Sequence, residues 1–176
     1  MDFKYRLANL EDIPCIEGLM QHSISKLLGV YINEEELEAS FESMGLDDQL
    51  IKDKTYFLIY LEGLLVGCGG WSNRKTLFGG NHTPNRSDEF LNPTEDAAKI
   101  RAMYTHPDWA RKGIGTLILE LAEKEASNSG FMRCELMATL SGIHLYKARG
   151  YKINDEIIYK SKMGNSVRMF KMTKPL

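Results

Sequence analysis

The stretch "ARKGIGTLILELAEKEASNSG" (110–130) constrains the fold of this chain more than any other segment. Two basic residues, Arg111 and Lys112, precede Gly113 and Gly115, and a helical pattern follows at once. One face of that helix is apolar and consists of Ile114, Leu117, Ile118, Leu121, Ala122 and Ala126. A helix start offers free backbone N–H groups to anions, and a residue without Cβ lets a ligand approach them closely. The segment therefore predicts a helix that packs on a core and begins at a phosphate or pyrophosphate site.

The remaining segments alternate between strand and helix patterns. Apolar residues at helical spacing predict helices over 11–29, 33–45 and 142–150. Runs dense in β-branched and aromatic residues predict strands over 3–7, 55–61, 64–71, 97–105, 131–139, 151–159 and 166–172. Asn33 and Glu36 have the spacing of a capping box, and "EG" (62–63) has the composition of a hairpin turn. This order predicts a mixed α/β layer architecture, and the length predicts a single domain over 1–176.

Composition argues against several classes of protein. The net charge of -2 argues against a nucleic-acid partner, and no apolar run is long enough to span a membrane. The first residues, "MDFKYRLANLED", lack the features of a signal peptide, so we expect a cytoplasmic protein. We expect reduced, mostly buried cysteines at the three widely spaced positions, Cys15, Cys68 and Cys134. We expect no metal site, because ligand spacing is absent among His22, His82, His106 and His144.

Residues 72–96, "SNRKTLFGGNHTPNRSDEFLNPTED", break the alternation of strand and helix patterns. The segment is polar, rich in Gly, Pro, Asn and Ser, and carries charges of both signs. A loop of this length is uncommon inside a compact domain and is usually either functional or mobile.

Two known phosphate-binding motifs do not fit the glycine turn. A dinucleotide fingerprint requires a third glycine at the position of Ile118, and a P-loop requires a G-x-x-x-x-G-K-[ST] run. Gly113 and Gly115 neither begin nor end such a run. The turn is therefore either a phosphate site of another kind or simply a strand-to-helix connection.

Two segments resemble the GNAT superfamily of N-acetyltransferases. "RAMYTHPDWARKGIGTLILELAEKEA" (101–126) is similar to that family's coenzyme A-binding segment, whose Gln/Arg-x-x-Gly-x-Gly/Ala pattern follows a strand and a His-Pro exit. "ELMATLSGIHLYKARGYK" (135–152) is similar to the strand and short helix that end in the family's Tyr-x-x-x-Gly-Tyr/Phe signature. The specific match covers 97–152. It departs from the family at Ala110, where the pattern has Gln or Arg, and at Ser141, where many relatives have Asn.

The resemblance implies both a fold and an activity. The family's fold is a mixed, mostly antiparallel sheet of about six to seven strands, splayed in the middle and flanked by about four helices. The activity is transfer of an acetyl group from acetyl-CoA to a primary amine, with no metal. The last strands, 151–172, often help to build dimers in this family, so the analogy leaves a homodimer as an alternative.

The resemblance also implies which residues hold acetyl-CoA. The pyrophosphate would lie on the backbone of Arg111, Lys112, Gly113, Ile114, Gly115 and Thr116. The pantetheine arm would pair with the exposed backbone of Met103, Tyr104 and Thr105, and an N–H there could stabilise the oxyanion. The hydroxyl of Ser141 would bond the same arm.

Tyr146 matches the family's acid for the departing thiolate. The ordinary pKa of tyrosine, about 10, exceeds that of a thiol, about 8.5, so the hydroxyl can donate a hydrogen bond to the sulfur. Without the resemblance Tyr146 would be read as a core aromatic. No general base is assigned, because water could remove the proton of the amine or one of several side chains could do so. These side chains are Glu135, His106, His82, Asp88 and Glu89.

The acceptor is less constrained than the acetyl donor. Family members build the acceptor wall from the N-terminal helices and the hairpin region, here 20–45 and 72–96. An apolar pocket there could be lined by Tyr31, Phe41, Trp71 and Phe78, although a core position would explain each equally well. We expect a small amine or amino-acid-like acceptor. The alternatives are a peptide or protein N-acetyltransferase, a non-catalytic acetyl-CoA sensor and a nucleotide-binding module, which the missing motifs disfavour.

Overall fold

A computed structural model describes all 176 residues. In chain order its elements are β1 (Lys4–Leu7), α1 (Ile13–Ser23), α2 (Glu34–Ser43), α3 (Asp48–Lys52), β2 (Tyr56–Leu61), β3 (Leu64–Ser72), β4 (Ala98–Thr105), α4 (Ile114–Asn128), β5 (Arg133–Ala138), α5 (Ile143–Ala148), β6 (Lys152–Lys160) and β7 (Ser166–Pro175). The strands form one seven-stranded sheet in the order β1-β2-β3-β4-β5-β7-β6. Every neighbouring pair is antiparallel except β4 and β5.

The predicted order of elements is confirmed, with one addition. The chain has a fifth helix, α3, which is too short to leave a helical pattern in the sequence. The predicted capping box at the start of α2 is present: Asn33 Oδ1 accepts the Glu36 N–H at 2.8 Å, and Glu36 Oε2 accepts the Asn33 N–H at 3.0 Å. The hairpin turn between β2 and β3 is also present, with Glu62 and Gly63 in the left-handed conformation that such turns require.

Two apolar cores lie on opposite faces of the sheet. Helix α4 covers one face, and its buried residues Ile114, Ile118, Ala122 and Ala126 belong to the larger core. Leu119 is also buried there, although it lies outside the predicted apolar face. Helices α1 and α3 cover the other face and form the smaller core. No helix of the chain combines the length and apolar character needed to cross a membrane.

The sheet is splayed between β4 and β5. These strands pair only at Ala98–Cys134 and Lys99–Glu135, and no pairing follows beyond that point. A β-bulge lies just after the divergence, because Ala102 and Met103 together stand opposite Gly69 of β3. Ala102 has a φ of 49°, and such bulges bend and twist a strand. The bulge therefore turns the second half of β4 away from β5 and opens a gap in the sheet.

Candidate active site

The turn before α4 has an unusual backbone. Arg111 has a φ of 64° and Gly113, the N-cap of the helix, has a φ of 92°. A Cβ at Gly113 would meet no atom within 4 Å, so glycine is favoured there by conformation and not by lack of space. Left-handed residues of this kind turn successive N–H groups toward one side and create an anion-binding concavity.

Gly115 has a packing role beside the one expected. A Cβ at this position would lie 2.7 Å from Leu145 Cδ2, so the missing side chain lets the start of α4 pack closely on α5. This packing joins the two segments that resemble the acetyltransferase motifs. Ligand access at Gly115 remains a prediction.

The turn carries exposed positive charge. The side chains of Arg111 and Lys112 are exposed, and neither forms a salt bridge. Lys112 Nζ lies 4.2 Å from the centre of the Trp109 ring, which is a cation–π contact. Both charges are therefore available to an anion at the N-terminus of α4.

A cavity of about 70 Å³ lies at the gap between β4 and β5. Met103 and Tyr104 line it from β4, and Tyr146 lines it from α5. The opposite wall consists of the end of α2 and the loop residues 77–79, while β5 and Met169 of β7 complete the enclosure. The structure thus brings together three of the residues predicted from the sequence, and the predicted pyrophosphate turn lies outside the lining.

Tyr146 is buried, and its hydroxyl has no strong partner. The hydroxyl donates to the thioether of Met103, with 3.7 Å between the oxygen and Sδ. A thioether is a weak acceptor, so this hydroxyl is free to donate to a better one. Burial raises the pKa of Tyr146 to about 12, which keeps the phenol protonated at neutral pH. The ring needs the space left by Gly142, where a Cβ would lie 2.9 Å from Tyr146 Cε2.

The other residues predicted to contact acetyl-CoA lie on β4 and on the connection between β5 and α5. The Tyr104 hydroxyl accepts the Gly45 N–H at 3.2 Å, so this side chain joins β4 to the end of α2. Thr105 pairs with Gly67 on β3. The Ser141 hydroxyl lies 3.1 Å from Thr139 Oγ1 in the connection between β5 and α5.

Glu135 is placed poorly for the role of general base. It forms ion pairs with Lys99 and, at 3.0 Å, with Lys171. Burial by itself would raise the pKa of Glu135, but the hydrogen bonds and charges of the two lysines outweigh it and lower the pKa. The carboxylate is therefore already engaged, and it does not line the cavity.

The other candidate bases also lie outside the cavity lining. His82 Nε2 is 2.8 Å from the Phe41 carbonyl oxygen, and the His106 ring lies edge-on to His22 with 5.2 Å between ring centres. Asp88 and Glu89 are exposed on the long loop, where Glu89 pairs with Lys75. None of the five candidates is brought to the cavity by the fold.

Buried ion pairs anchor the loop between β3 and β4. Arg101 of β4 is 3 % exposed and donates at 2.8 Å each to Asp47 and to the carbonyls of Thr76 and Gly79. Arg86 from the loop binds the other oxygen of Asp47 at 2.7 Å. Burial lowers the pKa of Arg101, while the Asp47 charge opposes that shift. Of the two readings of the loop, functional or mobile, these contacts favour a fixed wall beside the cavity.

Sequence reasoning missed most of the acceptor wall. Met44, Met137 and Met169 line the cavity, but they come from three distant segments and share no spacing. Of the four aromatic candidates only Phe78 lines it. Trp71 belongs to the larger core, where it packs edge-on against Phe131 at 5.9 Å, Phe41 packs on the smaller core, and Tyr31 is exposed.

Two further expectations concern cysteine and metal ligands. Cys68 and Cys134 are buried as expected, but Cys15 is exposed, because it lies on the outer face of α1. No cluster of three or more His, Cys, Asp or Glu side chains is arranged to hold a metal ion.

Comparison with solved structures identifies the fold. A GCN5-related N-acetyltransferase from Rhodopseudomonas palustris is 20% identical, with a TM-score of 0.74 over 100% of this chain and 97% of that one. The PaiA N-acetyltransferase from Thermoplasma acidophilum, solved with coenzyme A, is 15% identical, with a TM-score of 0.66 over 100% of both chains. The ribosomal-protein-S18-alanine N-acetyltransferase from Escherichia coli is 15% identical, with a TM-score of 0.60 over 99% of this chain and 94% of that one.

Comparison of the sequence identifies the family. No curated protein matches the chain significantly. The model of the acetyltransferase (GNAT) family matches residues 21–151, a range that contains the turn before α4, the splayed strands and Tyr146. The chain therefore belongs to the GNAT family of acetyltransferases.

Proposed function

We propose that this acetyltransferase moves the acetyl group of acetyl-CoA to the primary amine of a small molecule, by direct attack of the amine on the thioester. The observation that carries the proposal is the cavity between β4 and β5, which has Tyr146 on one side and a fixed wall on the other. The family supplies the acetyl donor, and the related Thermoplasma protein was solved with coenzyme A.

The turn before α4 fits the pyrophosphate of acetyl-CoA. Arg111 and Gly113 have the left-handed conformation that forms anion-binding concavities, and the side chains of Arg111 and Lys112 are exposed beside the start of the helix. The divergence of β4 from β5 leaves the backbone of Met103, Tyr104 and Thr105 unpaired on the β5 side. That edge suits an extended pantetheine arm, which would pair with it as an added strand. Ser141 lies on the connection that leads from this gap into α5.

Tyr146 serves as the acid of the reaction. As the new C–N bond forms, the nitrogen loses a proton to water, the C–S bond breaks and the thiolate leaves with its electron pair. The Tyr146 hydroxyl donates to that sulfur, which takes the place of the Met103 thioether. Because burial keeps the pKa of Tyr146 near 12, a hydrogen bond stabilises the thiolate, and full proton transfer occurs only when the sulfur is strongly basic.

The size of the cavity favours a small acceptor over a peptide. A volume of about 70 Å³ has room for several water-sized groups and suits a compact ligand. The end of α2 is fixed over it: Glu42 accepts the Tyr159 hydroxyl at 2.8 Å and the Lys162 N–H at 3.0 Å, and Thr83 donates to the Glu42 carbonyl at 2.9 Å. Phe78 packs edge-on against Tyr159. These contacts hold the end of α2 and the loop in place beside the cavity.

The test combines ligand binding with turnover. Acetyl-CoA should raise the melting temperature by mass action, whereas ATP and NAD should not. Free thiol should then appear when a panel of small primary amines is added with acetyl-CoA. Stabilisation by ATP or NAD alone would contradict the assignment. Stabilisation by acetyl-CoA without thiol release from any amine would favour the sensor, and release with peptides alone would favour a peptide acetyltransferase.

A further inference from the structure

The cavity is lined mainly by hydrophobic residues and is rich in methionine. Met44, Met103, Met137 and Met169 line it from four different segments of the chain, together with Leu77 and Phe78. Hydrophobic side chains make up 11 of the 16 lining residues. Methionine side chains are unbranched and polarisable, so they adapt to ligands of different shape. These side chains therefore suit an uncharged ligand and tolerate variation in its outline.

The cavity offers no charge to a second ionic group of a substrate. Arg101 is the one charged residue in the lining, and its guanidinium is bonded to Asp47 and to two backbone carbonyls. The carboxylates on the adjoining segments are also engaged. Glu42 binds Tyr159 and the backbone of Lys162, and Glu135 binds two lysines. A substrate ammonium or carboxylate would enter the cavity unpaired, which is costly.

Building on the proposed acetyl transfer, we infer that the acceptor is an apolar monoamine, a primary amine whose remaining atoms are uncharged alkyl or aryl groups. Polyamines, aminoglycosides and free amino acids all carry a second charge and are poor substrates. The inference narrows the earlier expectation of a small or amino-acid-like amine to a single chemical class.

The same surroundings explain how the amine is activated without a dedicated base. A cavity without a free counter-charge disfavours the ammonium form, so the pKa of the bound amine falls toward neutrality. The neutral amine is the nucleophile: its extra proton leaves to water before or during entry, and the proton that the nitrogen loses after the C–N bond forms also passes to water. None of the five candidate bases lines the cavity, and the apolar acceptor requires none of them.

The direct test compares amines that differ only in charge. The rate of thiol release per amine concentration, kcat/KM, is measured with acetyl-CoA and 2-phenylethylamine, hexylamine, phenylalanine or spermidine. We expect both apolar amines to exceed phenylalanine and spermidine by about tenfold or more, since burial of an unpaired charge costs at least that factor. Higher values for spermidine or phenylalanine would overturn the acceptor class and leave acetyl transfer intact. No release with any of the four amines, or with the wider amine panel, would overturn both proposals.

A variant should reverse the preference. Met137→Asp places a carboxylate on the cavity wall, while Met132→Asp places one just before the same strand, at a methionine that is 69% exposed. Met137→Asp should raise the ratio of spermidine to 2-phenylethylamine turnover by about tenfold or more, and Met132→Asp should change it less than about twofold. If a folded Met137→Asp protein has the same ratio of spermidine to 2-phenylethylamine turnover as the unaltered protein, the inference is contradicted. If that variant is unfolded by its melting curve, the comparison of amines with the unaltered protein decides.

Discussion

At the scale of single residues, the environment of Tyr146 explains its proposed role. The hydroxyl is buried, it remains protonated because its pKa is about 12, and its partner is a thioether. A buried hydroxyl with only a weak acceptor contributes little to stability. It is therefore well suited to meet a sulfur that becomes negatively charged during the reaction.

We predict that Tyr146→Phe lowers kcat about tenfold or more and changes the acetyl-CoA dissociation constant less than about twofold, since the hydroxyl acts on the leaving sulfur. The control is Tyr5→Phe, at a tyrosine that is 54% exposed on β1. Steady-state thiol release and a binding titration measure the two quantities. Unchanged turnover in Tyr146→Phe would remove this residue from the mechanism.

The raised pKa of Tyr146 gives a prediction for the pH dependence. Activity that depends on the protonated phenol is present below the pKa and is lost only as pH rises toward about 12. The ratio of kcat between the unaltered protein and Tyr146→Phe should therefore be the same at about pH 7 and about pH 9.5. A ratio that shrinks toward one at the higher pH would show that the phenol titrates earlier than its burial implies.

At the scale of elements, the turn before α4 and the loop between β3 and β4 carry the two halves of the site. The turn has left-handed residues and positive charge, and loop residues 77–79 line the cavity that we propose binds the acceptor. Each depends on a local feature that a point substitution can remove.

We predict that Gly113→Ala weakens acetyl-CoA binding about fivefold or more, because Ala at a φ of 92° strains the anion-binding turn. Gly63→Ala is the matched control, since Gly63 has a φ of 84° and also has open space around it. Both changes should lower the free energy of unfolding by about 1–2 kcal/mol. Titration with acetyl-CoA distinguishes the two variants. Equal affinities for acetyl-CoA in Gly113→Ala and Gly63→Ala would argue against a pyrophosphate site at this turn.

We predict that Asp47→Asn lowers the free energy of unfolding by about 3 kcal/mol, because it leaves the buried Arg101 without its counter-charge. Asn retains the cap that Asp47 provides to α3, so that contact is not the cause. Glu89→Gln, which removes an exposed ion pair with Lys75, should cost less than about 0.5 kcal/mol. Urea denaturation measures both. If Asp47→Asn loses as little free energy of unfolding as Glu89→Gln, the buried Asp47–Arg101 pair does not anchor the loop.

Local patterns account for what the sequence predicted correctly. The apolar face of α4, the capping box of α2 and the turn of the first hairpin each depend on residues a few positions apart. The bulge at Ala102 was not predictable, because it depends on the register of β4 against Gly69. The Arg101–Asp47 pair joins residues 54 positions apart, and the methionines of the cavity are equally scattered. Neither the ion pair nor the set of methionines produces a periodic pattern in the sequence.

At the scale of the whole molecule, the split sheet organises the proposed site. In the proposed mechanism, β4 with the turn before α4 binds the acetyl donor, and α5, which follows β5, supplies Tyr146. The N-terminal helices and the long loop close the amine end of the gap. In the proposed mechanism, acetyl donor and acceptor meet in the cavity at the gap between β4 and β5.

The central claim is that the acetyl group moves directly to an amine, and the stoichiometry of the products tests it most directly. The protein is incubated with acetyl-CoA and 2-phenylethylamine, and the released thiol and the N-acetylated amine are quantified together by thiol titration and mass spectrometry. The account predicts equal amounts of the two products, with formation of both strongly reduced in Tyr146→Phe. Thiol release without acetylated amine, or no release from any small amine, would contradict it.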